Sequence, residues 1–124
     1  MTIKTTIDVE MQLITHEISD QLTIEEILCA FKDLYAHPDF NSGYAILVKL
    51  QAGSTSALTA DDMHEMVKIT RQFSASRGAG KSAVVALSAE DYGMSHVAEF
   101  LLKDETRKVK VFNNLDDARA WLAE

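Results

Sequence analysis

The chain reads as a single α/β domain: a mixed, mostly parallel sheet covered by helices, in the order β-β-α-β-α-β-α-β-α. Three observations predict this. Two short stretches near the start alternate apolar and polar residues. Three rounds of amphipathic segment followed by apolar run come next. The last apolar run, Lys108–Phe112, turns directly into a capped segment ending at Trp121-Leu122. With 124 residues the chain has the size of one domain, 1–124.

Ile3, Thr5 and Ile7, then Ile14, His16 and Ile18, recur at every second position, the period of a half-buried strand. Thr23-Ile-Glu-Glu26 has the form of a capping box. Behind it Ile24, Ile27, Leu28, Phe31, Leu34 and Tyr35 fall at helical spacing, and His37-Pro38 ends the helix. Tyr44–Leu50 is an almost continuous apolar run, as in strands covered on both faces.

Thr59-Ala-Asp-Asp62 opens a second helix carrying Met63, Met66, Val67, Thr70 and Phe73; Gly78 and Gly80 stop it before a strand over Ser82–Leu87. Ser88-Ala-Glu-Asp91 opens a third with Met94, Val97, Ala98, Leu101 and Leu102, and Asn114-Leu-Asp-Asp117 a fourth with Ala118, Trp121 and Leu122. Only the first start is a strict S/T-x-x-E box; the others place Asp three residues after the cap. The acid pairs Glu25/Glu26, Asp61/Asp62, Glu90/Asp91 and Asp116/Asp117 all sit where the helix dipole favours negative charge, so capping accounts for them. Helical crossovers between buried strands imply parallel pairing by right-handed connections.

Composition narrows function by exclusion. A net charge of −7 disfavours nucleic acid, which needs a basic face. No apolar run approaches the roughly 18 residues of a membrane span, so stable insertion is not expected. The N-terminus alternates and carries an acid early, unlike a signal peptide. The single Cys29 has no internal partner and suits a reducing compartment, so a cytoplasmic location is expected.

Candidate motifs mostly resolve into structure. Ala75-Ser-Arg-Gly-Ala-Gly-Lys-Ser82 fits a relaxed phosphate-binding loop. Such a loop must leave a strand and enter a helix; here a helix precedes and a strand follows, so nucleotide chemistry through Lys81 is disfavoured. The four histidines, His16, His37, His64 and His96, show no i,i+4 ligand spacing and read as surface or core-edge residues. Ser95 and His96 point about 100° apart on one helix, a poor nucleophile–base geometry. No catalytic residue, metal or cofactor is expected.

Two segments keep functional interest. Gly53-Ser54-Thr55-Ser56 is a hydroxyl-rich connection in which Ser54 or Ser56 is a candidate phosphorylation site. Tyr92-Gly93-Met94, with Phe100 and Leu101-Leu102, spreads apolar residues wider than one helical stripe, as in a binding patch or pocket wall.

The whole chain resembles the SpoIIAA-like proteins, small bacterial domains of the STAS fold related to the lipid-carrying CRAL-TRIO domain. The matching segments run from Leu13–Ser19 and Leu22–Ile27 through Leu34–Phe40, Gly43–Val48, Leu58–Asp62, Ser82–Ala86 and Tyr92–Met94 to Val111–Leu122. The resemblance implies the same strand–helix order. It implies either binding of apolar ligands or membranes, or regulation of the kind exercised by relatives that antagonise anti-sigma factors. Those relatives carry an Asp-Ser-Ser-Gly-type motif after the central strand; here Lys49-Leu-Gln-Ala-Gly-Ser54 stands there, and Lys49 replaces a common aspartate.

The leading expectation is a non-enzymatic binding module for a small apolar ligand or lipid, held beneath the last helices with Tyr92, Met94, Phe100, Leu101 and Trp121 as walls. The alternative is a protein-interaction domain switched at Ser54 or Ser56. The expected partners are therefore an apolar small molecule or lipid, a protein, or a second copy of the chain as a homodimer.

Overall fold

A computed structural model describes residues 2–73, 76, 78–103 and 107–124. Ala75 and Arg77 of the glycine-rich segment lie outside the described residues. The elements are β1 (Ile3–Asp8), β2 (Leu13–Ile18), α1 (Ile24–Ala36), β3 (Ala45–Leu50), α2 (Ala60–Gln72), β4 (Lys81–Ala86), α3 (Ala89–Leu101), β5 (Lys108–Phe112) and α4 (Leu115–Leu122). The five strands lie in chain order, β1-β2-β3-β4-β5, with β1 antiparallel to β2 and every later pair parallel.

That order decides where the helices go. When each crossover steps to the next strand in the same direction and is right-handed, all its helices fall on one face. The front face presents Ile14, His16 and Ile18 of β2, Ile46, Val48 and Leu50 of β3, Ser82, Val84 and Ala86 of β4, and Val109 and Val111 of β5. It is covered by α1, α2 and α3. The back face carries Leu47, Ala83 and Val85, packed against Ala118, Leu115, Trp121 and Leu122 of α4. Being a single short helix, α4 contacts β4 and β5. On β1 and β2 the back-face positions Lys4, Thr6, Asp8, Thr15 and Glu17 are polar, and Leu13 there joins the apolar cluster of the back face. The both-face cover that apolar β3 predicts is thus met by three helices in front and one behind.

The helix starts follow the sequence closely, with one exchange. Thr23 accepts from the Glu26 amide, but its hydroxyl donates to Glu26 Oε1, so the reciprocal bond of a capping box does not form at α1. The complete box is at α2, where Thr59 accepts from Asp62 N at 3.1 Å and Asp62 Oδ2 accepts from Thr59 N at 3.0 Å. The shorter aspartate reaches back where the glutamate instead meets the hydroxyl. Ser88 and Asn114 cap α3 and α4 through the amides of Asp91 and Asp117.

Two cations, one half-buried and one buried, secure the end of the sheet where β3 and β4 begin. Lys81 opens β4, and its ammonium donates to the carbonyls of Trp121 and Glu124 at 3.0 and 3.2 Å, lying 5.2 Å from the Trp121 ring centre. A cation at the carboxyl end of a helix is favoured by the dipole. The lysine of the phosphate-loop-like segment is therefore committed to α4. Arg107 is 1% exposed, and its guanidinium donates to the carbonyls of Tyr44, Lys81 and Ser42 where β3 and β4 begin. Gly80 makes room for it: a Cβ there would lie 2.5 Å from Arg107 Nη1 and 2.9 Å from Tyr44 O.

Gly80→Ala should therefore displace the guanidinium and lower urea-measured stability by roughly 2–3 kcal/mol, as overpacking does. The control Gly93→Ala, at a position with no atom within 4 Å of the added carbon, should be neutral or stabilising.

Candidate functional site

Between the front of the sheet and α1, α2 and α3 lies an apolar cavity of about 190 Å³. The sheet contributes Ile18, Val48, Leu50, Val84 and Val109; α1 contributes Ile27, Ala30 and Phe31; α2 contributes Met63 and Met66; and α3 contributes Met94, Ala98 and Leu102. Three of the five methionines of the chain line it. These flexible, polarisable side chains accommodate guests of differing shape. Among the described residues no Lys, Arg, Asp or Glu is in the lining; its polar members include His16, Thr55, Thr70, Ser82 and Ser95.

His16 stands on β2 at a position whose side chain faces the core, and it is 6% exposed. The cross-strand register places it opposite Thr5, and the Thr5 hydroxyl lies 2.8 Å from His16 Nδ1. Burial withholds water from the charged imidazolium, moving its pKa from 6.5 down to about 4. The imidazole is consequently neutral at physiological pH. The alternation of β2 placed His16 among apolar neighbours; its near-complete burial, rather than a place at the core's edge, comes from the helices closing over it.

One wall of the cavity hangs on a buried acid. Asp91, in the first turn of α3, is fully buried. Its carboxylate accepts from Gly53 N at 2.8 Å, from Thr55 N at 3.0 Å and from the Thr55 hydroxyl. Burial pushes the carboxyl pKa up, but the hydrogen bonds from Thr55, Ser88 and Gly53 outweigh it and hold the group below its ordinary value of 3.8. The same connection is sewn to the entrance of α1: Leu22 N donates to Ser54 O at 2.8 Å, and Gln21 Nε2 to Ser56 Oγ at 2.9 Å. Capping alone, which the sequence offers as the reason for Asp91, describes only its amide bond to Ser88.

The five residues expected to form ligand walls are not brought together. Met94 lines the cavity. Tyr92 packs on the cluster of Ile18, Leu22, Ile27, Leu50 and Ala86, its ring edge-on to His96 at 4.5 Å. Phe100 is 65% exposed, with the Lys103 ammonium 4.3 Å from its ring centre. Leu101 is half-buried, and its carbonyl accepts from Arg71. Trp121 belongs to the opposite face, against Phe112.

Of the two candidate phosphorylation residues, Ser54 is 1% exposed and donates to Gln51 O, whereas Ser56 is exposed and donates to Gly53 O. Among the described residues no group of three His, Cys, Asp or Glu is placed to hold a metal ion, and no helix is long and apolar enough to cross a membrane.

Two measurements follow from the titrating groups. The unfolded chain takes up a proton at His16 near pH 6.5 and the folded one only near 4, so stability rises with pH across that window, by at most roughly 3 kcal/mol. Urea titrations in pH steps should show the slope, and His16→Leu should flatten it. Asp91→Ala should lower stability at pH 7 by about 3 kcal/mol, since two backbone amides and a hydroxyl lose their acceptor. The depressed carboxyl makes the charge-linked part of the Asp91 contribution full above pH 3.8 and lost as pH falls through its folded value, so the gap between wild type and variant should narrow in strong acid.

No family model and no curated protein matches the chain. A solved structure does: an uncharacterized protein of the DUF3478 family from Shewanella loihica PV-4, described as having a SpoIIAA-like fold. It is 14% identical, and the match covers 97% of this chain and 91% of that one with a TM-score of 0.59. At that identity the likeness concerns architecture alone, and it extends over nearly the whole of both chains. The chain has the SpoIIAA-like fold.

Proposed function

We propose that the protein is a small-molecule binding module that takes an apolar guest into the cavity between the sheet and α1–α3. The observation that carries this reading is the cavity itself: about 190 Å³ of space lined largely by aliphatic, methionine and aromatic side chains. Protein cores are ordinarily close-packed, whereas this space is neither sealed nor flat, so a guest has a way in. An engineered apolar cavity of about 150 Å³ stays dry and accepts benzene, which sets the scale of the guest. A ring-sized molecule fits; a whole lipid tail would require the helices to move apart.

The SpoIIAA-like fold is compatible with either a binding or a regulatory module. The regulatory alternative has less behind it. Ser54 is 1% exposed and its hydroxyl is bonded to Gln51, leaving Ser56 as the exposed hydroxyl of the two.

Toluene at ten times its dissociation constant should raise the melting temperature by several degrees, the effect of about 1.4 kcal/mol on a domain of this size. Ala98→Leu, which adds bulk to the α3 wall, should abolish the shift while leaving the dispersion of the amide NMR spectrum intact. Native mass spectrometry of protein purified without organic solvent should show a neutral adduct in the size range of a substituted benzene. Absence of both the toluene shift and any cavity-wall resonance change would overturn the reading.

A further inference from the structure

The protein uses only one side of the His16 ring. Nδ1 meets the Thr5 hydroxyl at 2.8 Å, and Nε2 has no hydrogen-bond partner among the described residues. The residue is 94% buried by its 6% exposure and lines the cavity. Nε2 lies further out along the ring than Nδ1, on a side chain that leaves the front of the sheet toward the helices. Nε2 is not itself a sealed atom, and on a residue that lines an apolar space a ring nitrogen without a protein partner is a place where a guest's hydrogen-bonding group can be met.

Resting on the binding role proposed above, we infer that the cavity selects an uncharged, ring-sized molecule carrying a hydroxyl group, which hydrogen-bonds to Nε2 of His16. Among the described residues the walls contain no counter-charge for a carboxylate or an ammonium, either of which would lose its hydration on entry. The buried imidazole stays neutral, so it attracts no anion either. A hydroxyl suits both tautomers: it donates to a bare Nε2 when Nδ1–H is bonded to Thr5, and accepts from Nε2–H when the threonine donates. A plain hydrocarbon would fill the space but leave the nitrogen unmet. Thr70, Ser82 and Ser95, also buried and also lining the cavity, have no side-chain hydrogen bond among the described residues. They extend the same uncharged, hydroxylic character to α2, β4 and α3.

Three para-substituted benzenes of similar size separate the cases: para-cresol, para-xylene and para-toluate, titrated at pH 7 into ¹⁵N-labelled protein. Cresol should bind at least about fivefold more tightly than xylene, the worth of one net hydrogen bond, and toluate should not bind measurably. Cresol should move the His16 Nε2 resonance more than the Nδ1 resonance. His16→Leu should remove the preference for cresol over xylene, while His16→Gln should retain part of it.

Equal or tighter binding of xylene, a stationary Nε2 signal in the cresol complex, or toluate binding as tightly as cresol would overturn the inference while leaving the cavity a binding site. Failure of all three compounds to bind would overturn the binding role itself. The wild-type series decides the matter even if the leucine variant does not fold.

Discussion

The buried carboxylate of Asp91 is the constraint on which the cavity depends. It stands at the start of α3 and gathers the amides of Gly53 and Thr55 and the hydroxyl of Thr55 from the connection leaving β3. That connection in turn holds the entrance of α1 through Ser54 and Ser56. Three helices that would otherwise be fixed only by apolar contact are thereby set in register above the sheet. The arrangement ties these helices together by directional bonds beside the cavity. A buried charge is tolerated only when fully bonded, and here hydrogen bonds outweigh desolvation.

Charge is used similarly at the opposite edge. Lys81 binds the last carbonyls of α4, and Arg107 spans the carbonyls that begin β3 and β4. On β5, an edge strand, the Val111 amide is taken up by Glu99 of α3 at 2.8 Å, which occupies a group that could otherwise template another chain. Each of these side chains finishes backbone hydrogen bonding that the sheet and helices leave incomplete.

Much of the fold was legible in the residues. Period-two alternation located β1 and β2, caps located all four helix starts, and the order helix–glycines–strand placed Lys81 at a strand entrance rather than beneath a phosphate. The site was less legible, for a physical reason. A helix's own periodicity marks its apolar stripe but not which neighbour the stripe meets, so Phe100 and Trp121 resemble wall residues although one is exposed and the other lies behind the sheet. His16 carried a signal in its place on β2, in step with Ile14 and Ile18; what hid its importance was that burial of a polar residue depends on helices distant in sequence. Asp91 was masked by a sufficient local explanation, since any acid at that position stabilises a helix. Its bonds to Gly53 and Thr55, 38 and 36 residues away, have no local signature.

The agreement between strand order and chain order bears on how the molecule is made. Each strand after the first hairpin docks beside the one just completed, through an intervening helical segment, so no strand waits for a partner still to be synthesised. A polypeptide emerging from the ribosome can therefore grow its sheet unit by unit, with loop closures kept short and exposed edges short-lived. The distant ties, from Asp91 back to Thr55 and from Arg107 back to Tyr44, are available only once the later units have emerged. They lock an assembly whose order of construction is already set.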